Sequence, residues 1–362
     1  MMGNDSRRHS IMQMHLHRYA YHSLLVLLIL AVGLLIALPT MAATLTAEQA
    51  YQKGKTLHFQ DRFEEAEPYL LQAGNSGNAA AYYLIADSGS FNRFGMSDKE
   101  YKFMKFAADN GHLLAMVGMI SDRSLTSPKE KKIWREKFLE VVEPEINKGN
   151  PLAYELISRL YVLKDEYFGL LKNSAYAGYP SAQWEVARRF EMGDDWFLLP
   201  GSREKEVAKL YEASARGGYR DALSSKALSL IEEGEKEKAF EIINTLIDKG
   251  DAQSLTTYGA LFSDIYPNSL AGWSDIDKAR GASYLKALKD SMAPESKNGL
   301  YRDMYRFAEE DLSDEEIKQG EILAEEYLRT HTVYRQDGLD EYEYTVDNLH
   351  TALERWGGNA IE

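Results

Sequence analysis

The chain has 362 residues, 44% hydrophobic and 27% charged, with 42 Lys+Arg, 56 Asp+Glu and no cysteine. That length fits two or three domains or one elongated array, and the globular composition excludes wholesale disorder or a collagen-like fibre. Without cysteine there are no disulfides, thiolate metal sites, cysteine nucleophile or lipid-bearing N-terminal cysteine; the net charge of −14 argues against a general nucleic-acid binder, which needs a basic face.

The first element is a targeting segment. Arg7, Arg8 and Arg18 precede an uncharged apolar stretch from Leu24 to Leu38, followed by Pro39-Thr40-Met41-Ala42-Ala43. This is the order of a secretory signal peptide, with cleavage expected after Ala42. Fifteen apolar residues span about 22 Å as a helix, short of a ~30 Å hydrocarbon core. The alternative is an uncleaved inner-membrane signal anchor, and both place the remainder on the exported side. A Gram-negative periplasm is the expected compartment. Cleavage leaves 39 basic and 55 acidic residues, a charge of −16.

A short pattern then recurs: glycine, three residues, and a small residue opening an apolar stretch. It occurs as Gly77…Ala81, Gly111…Ala115, Gly149…Ala153, Gly178…Ala182, Gly218…Ala222 and, more weakly, Gly250…Ser254. The spacings of 34, 38, 29, 40 and 32 residues suit a helix–turn–helix unit. Each glycine follows a segment with apolar residues at three- and four-residue steps, such as Ala208, Tyr211 and Ala215. Glycine ends a helix in the left-handed conformation without a Cβ clash, and the small residue lets the next helix approach closely. Ser97-Asp98-Lys99-Glu100 and Ser313-Asp314-Glu315-Glu316 read as capping boxes, and Ser127-Pro128 starts a helix with proline at its first position. No stretch alternates as a strand would. The fold class is all-α.

The phase Ala-x-x-x-[Tyr/Leu]…Ala-x-x-Gly-x-x-x-Ala resembles the Sel1-like repeat family, relatives of the tetratricopeptide repeats, over roughly Ala47 to Ser263. The family's second glycine cluster is mostly missing, with Phe94-Gly95-Met96-Ser97-Asp98 as a remnant. The resemblance implies a right-handed α-solenoid of five to seven helix–turn–helix repeats with a helical C-terminal cap. The expected organisation is a signal peptide over 1–42, repeats over 43–292, a cap over 293–330 and an extension over 331–362. For the extension, holding Tyr334, Tyr342, Tyr344 and Trp356, docking on the array and free mobility both stay open.

Catalytic motifs are missing: no phosphate loop, no His-Glu-x-x-His helix and no Gly-x-Ser-x-Gly elbow. His58, His112, His331 and His350 are not in metal-ligand spacing, and His112 is expected at an exposed repeat boundary. The acidic run Glu309–Glu316 reads as a solvated helix start complementing the macrodipole. No catalytic, metal or cofactor residue is assigned. Tyr82, Tyr154, Trp184 and Tyr258 fall at core phases. Phe91, Phe94, Trp196, Phe197, Tyr266 and Trp273 fall in loops and are the candidate partner-binding residues. Asp194–Gly201, with its Trp-Phe-Leu-Leu run, is either tucked under a helix or presented.

These features point to a non-catalytic protein-binding module. The family resemblance adds that some periplasmic members are immunity proteins, which neutralise effectors delivered by type VI secretion, lipases included. An acidic mature chain would suit a basic effector. The alternatives are a resident envelope scaffold for cell-wall or exopolysaccharide machinery and, remotely, a hydrolase with a dispersed carboxylate site.

Overall fold

The computed structural model describes residues 45–88, 96–161, 166–265, 277–294, 300–335 and 344–361; the expected signal segment lies outside them. Residues 47–362 pack as one unit. Among the described residues there are seventeen α-helices and no strand.

The first fourteen helices form seven hairpins. In chain order they are α1 (Ala47–Phe59) with α2 (Phe63–Asn75), α3 (Ala79–Asp87) with α4 (Asp98–Asp109), α5 (Leu113–Ser121) with α6 (Pro128–Asn147), and α7 (Pro151–Arg159) with α8 (Glu166–Tyr176). Then come α9 (Pro180–Glu191) with α10 (Ser202–Arg216), α11 (Arg220–Glu232) with α12 (Lys236–Asp248), and α13 (Ala252–Ser263) with α14 (Lys278–Ser291). Each helix up to α14 packs on the one before it and the one after. This is an all-helical repeat array.

The glycines mark the constant part of the repeat. All six sit in three-residue junctions between hairpins, at positive φ: Gly77 (99°), Gly111 (85°), Gly149 (74°), Gly178 (111°), Gly218 (85°) and Gly250 (71°). Each glycine amide donates to the carbonyl three residues back at 2.9–3.1 Å. At the first five, the next amide donates five residues back at 3.0–3.2 Å. That pair of bonds closes a helix with a left-handed residue. The residue after each glycine also caps the following helix, with side-chain acceptors at Asn78, His112, Asn150 and Asp251. The small residues Ala81, Ala115, Ala153, Ala182, Ala222 and Ser254 are all buried. The junctions are fixed in length. The loops inside hairpins are not: three residues join α1 to α2, and ten join α9 to α10. The wandering period comes from these loops and from the helices themselves, α6 having 20 residues and α8 only 11.

Capping boxes form at Ser97–Glu100, Ser127–Glu130 and Ser313–Glu316 as the sequence predicts. Tyr258 is fully buried and Tyr82 nearly so, while Tyr154 and Trp184 are half-buried. Beyond α14, α15 (Leu300–Asp311) packs on α13 and α14, and α16 (Asp314–Thr330) lies along α14. A continuous apolar core runs from Ala227 through Leu255, Tyr258 and Leu285 to Ala324 and Val333.

The α5–α6 loop is organised by the buried Asp122. Its carboxylate accepts the amides of Ser124 (3.2 Å), Leu125 (2.8 Å) and Thr126 (2.7 Å) and the Ser124 hydroxyl (2.8 Å). Burial alone would raise the carboxyl's pKa, but these bonds outweigh it and hold the pKa far below its ordinary value of 3.8. A depressed folded pKa adds stability that is complete above the unfolded value and is lost as pH falls below it. Asp122→Asn is expected to cost about 2 kcal/mol near neutrality. Denaturant titrations from pH 7 to 3 would then show a shallower acid loss in the variant than in the parent.

Candidate functional site: the junction face and the exposed loop

The described residues near the end of the chain, 332–335 and 344–361, dock along the junctions. Residues 332–335 lie between the end of α1 and the Gly250 junction. Tyr334 exchanges main-chain bonds with that junction, donating to the Gly250 carbonyl (3.2 Å) and accepting the Ala252 amide (3.0 Å). The Arg335 amide donates to the Phe59 carbonyl (3.0 Å), and its guanidinium pairs with Asp61 (2.9 Å). The Gln60 side chain donates to the Val333 carbonyl (2.8 Å), and the Ala293 amide to the Gln60 carbonyl (2.8 Å). The first hairpin is thus tied to the last.

From Tyr344 the chain runs past the Gly111, Gly149 and Gly178 junctions. The Tyr344 carbonyl accepts the Leu113 amide (2.7 Å), the first helical amide of α5. Such amides have no partner within their own helix. The Tyr344 hydroxyl bonds that of Tyr179, and the Arg159 guanidinium lies 5.9 Å from its ring centre. Helix α17 (Val346–Trp356) packs on α7 and, less, on α6, burying Leu349, Ala352 and Trp356. Trp356 meets Tyr179 edge-on at 5.0 Å. A 3-10 turn, Gly357–Asn359, ends the path: the Asn359 amide donates to the Gly178 (3.3 Å) and Ala213 (2.9 Å) carbonyls and to Gln183 (2.9 Å).

Two fully buried amides read this segment's main chain. Asn150 donates to the Leu349 carbonyl (2.7 Å) and Gln183 to the Asn359 carbonyl (3.0 Å). Neither stood out in the sequence: an Asn before Pro151 reads as a helix cap, which Asn150 also is. The docked segment also corrects the expectation for His112. It is fully buried rather than exposed, because Thr345 pairs with it across a bridge and Tyr83 stacks on its ring at 4.2 Å. Its Nδ1 accepts the Ala115 amide (3.2 Å), so it serves as a helix cap.

The second feature is the loop from Met192 to Gly201. Asp195 takes positive φ (65°), its carboxylate held by Lys172 (2.5 Å) and by the Trp196 amide (2.9 Å). Arg203 donates to the carbonyls of Phe190 (2.5 Å), Asp194 (3.1 Å) and Asp195 (3.0 Å). Phe197 turns inward, edge-on to Phe190 at 5.0 Å and beneath the Arg203 guanidinium at 4.9 Å. Trp196, Leu198, Leu199 and Met192 point outward, 79%, 78%, 71% and 62% exposed. Of the two candidates here, Trp196 is presented and Phe197 is an anchor; Phe91, Phe94, Tyr266 and Trp273 lie outside the described residues. Trp196→Ala is expected to change stability by less than about 0.5 kcal/mol, and Phe197→Ala to cost roughly 1–3 kcal/mol, measured by urea unfolding.

Among the described residues no three His, Asp or Glu side chains come together as a metal ion requires. A cleft of ≈ 500 Å³ opens between α1, the Gly77 and Gly111 junctions and the start of α17, with Glu48 and Asp347 among its walls. Glu155, also buried, pairs with Arg159 at 3.1 Å.

No family model and no curated protein matches the chain. Two solved structures are similar in fold. One is a protective antigen present in uropathogenic Escherichia coli strains displaying an SLR fold: 13% identity, TM-score 0.42, 79% of this chain and 62% of that chain. The other is a Sel1 repeat protein from Oxalobacter formigenes: 12% identity, TM-score 0.38, 78% of this chain and 86% of that one. Both are Sel1-type repeat proteins. This chain therefore spans less than two thirds of the length of the E. coli protein.

Proposed function

We propose that the protein is a non-catalytic, exported helical-repeat module that binds a protein partner. The observation that carries this reading is the docked C-terminal segment. The junction face holds a polypeptide by helix-start amides and by the buried amides of Asn150 and Gln183, all directed at main-chain carbonyls. Helical hairpins assembled this way offer extended surface for polypeptides.

Within that class the proposed role is immunity: capture and neutralisation of a basic, secreted effector, a type VI lipase being the case the family resemblance suggests. Support comes from the acidic chain, whose charge of −14 would steer a basic protein to it, and from the expected periplasmic export. The test is a pull-down from periplasmic extract with the chain starting at Ala43, at low and moderate salt. One stoichiometric, salt-sensitive hydrolase, inhibited on binding, is the expected result. A resident envelope protein would instead favour a scaffold, and the absence of any protein partner would overturn the reading.

A further inference from the structure

The large apolar side chains still exposed are concentrated in one place. Ten of them are at least a third exposed among the described residues, and the four most exposed, Trp196, Leu198, Leu199 and Met192, fall within eight residues. The junction face is already covered by residues 332–335 and 344–361. The loop is also held in shape. Arg203 spends its guanidinium on three carbonyls, Lys172 fixes Asp195, and Phe197 is wedged on Phe190. Asp195, a non-glycine residue at positive φ, is held there by these contacts. Preorganisation of this kind lowers the entropy cost of binding.

Charge and area together select the occupant. The cations at the loop's base are engaged: Lys172 with Asp195, Arg188 with Glu185, and Arg189 with Glu185 and Asp194. With a chain charge of −14, that leaves little attraction to an anionic bilayer. The four side chains offer on the order of 500 Å², short of the ~800 Å² per partner of a stable interface. Two exposed loop tips meeting each other would bury only part of that area and fall further short of a dimer, whereas a concave pocket covers a tip on all sides and adds the contacts of its rim. A narrow apolar tip on an acidic molecule suits a concave apolar pocket on a positively charged protein, with aromatic and aliphatic side chains as the anchors.

We propose that Trp196, Leu198 and Leu199 form a rigid wedge that inserts into an apolar pocket on a basic partner protein. This rests on the protein-binding reading above and names a surface that the docked segment leaves free. The test places a benzophenone-bearing residue at position 198 of the full chain, illuminates cells, and maps the cross-link by mass spectrometry. The mapped protein is then purified and titrated against the parent and against the double variant Leu198→Asp, Leu199→Asp, with Trp196→Ala as a milder second variant. Both variants are first matched to the parent in helicity and melting temperature.

The expected result is a cross-link within an apolar pocket of one basic protein. Binding should weaken at least ~30-fold in the double variant and measurably in Trp196→Ala. Parent-like affinity in both variants overturns the wedge while leaving protein binding intact. A cross-link confined to a second copy overturns it, as does co-flotation of the parent with vesicles of phosphatidylcholine and phosphatidylglycerol without any protein cross-link. If neither the cross-link nor the pull-down from extract finds a protein, the protein-binding reading itself fails.

Discussion

Alanine at Gly178 is expected to destabilise the protein by about 4 kcal/mol, against about 1 kcal/mol for alanine at Gly149. Both glycines close helices at positive φ, 111° and 74°, so both replacements incur the left-handed penalty of roughly 1–2 kcal/mol. Their surroundings differ. A Cβ at Gly149 meets nothing within 4 Å, whereas at Gly178 it falls 2.3 Å from the Trp356 carbonyl and 2.9 Å from the Ala360 amide. Those atoms are main chain, so the segment must move as a unit. Moving it disturbs the Asn359 bonds and the Trp356–Tyr179 contact. Denaturant unfolding gives the two losses. Amide exchange locates the difference, which should concentrate in residues 356–361, where the Ile361 amide donates to the Tyr176 carbonyl (2.9 Å). Equal losses at the two glycines would show that the docked segment adds little to stability.

Ending the chain at Arg335 is expected to have the largest effect of all. It keeps the tie between the first and last hairpins but removes Tyr344, Leu349, Ala352 and Trp356, all buried. Burying a large apolar side chain is worth about 1.5–3 kcal/mol, so the loss is on the order of 5–8 kcal/mol as an upper bound. A domain's whole stability is typically about 5–15 kcal/mol. The truncated chain should keep much of its helicity, melt at least ~15 °C lower without a sharp transition, and bind a hydrophobic dye. A cooperative melt near the parent's temperature would sink this expectation. In the full chain, Asn150→Ala removes the bond to the Leu349 carbonyl together with the cap on the Leu152 amide, and is expected to cost about 2–3 kcal/mol, well below the truncation.

The hairpins and their junctions were legible because their signals are local. A glycine at positive φ, a cap three residues before its amide, and a small residue where helices meet all declare themselves within a few positions. The serine capping boxes at 97, 127 and 313 are legible for the same reason. The docking of the tail was not legible. Its contacts are made between main-chain atoms, or between a buried amide and a main-chain carbonyl, and any residue carries those groups. Gln183 could have been an exposed helical glutamine, and nothing in its neighbours says that Asn359 lies against it. His112 was misplaced by the same gap, because the strand-like contact that buries it comes from residue 345. The Trp-Phe-Leu-Leu run was legible as unusual, while its split into an inward Phe197 and an outward Trp196 depends on Phe190 and Arg203.

The tie between the ends of the array also bears on when the molecule becomes complete. Hairpins make contacts between near neighbours in sequence, which form quickly. Gln60 waits for Val333, 273 residues later, and Gln183 for Asn359, 176 later. A chain that emerges amino end first must hold its early hairpins with their junction face bare until the final residues arrive. The last step of maturation is then a docking event of high sequence separation, and any lengthening of the carboxyl end that hinders residues 356–361 would act on folding before it acted on binding.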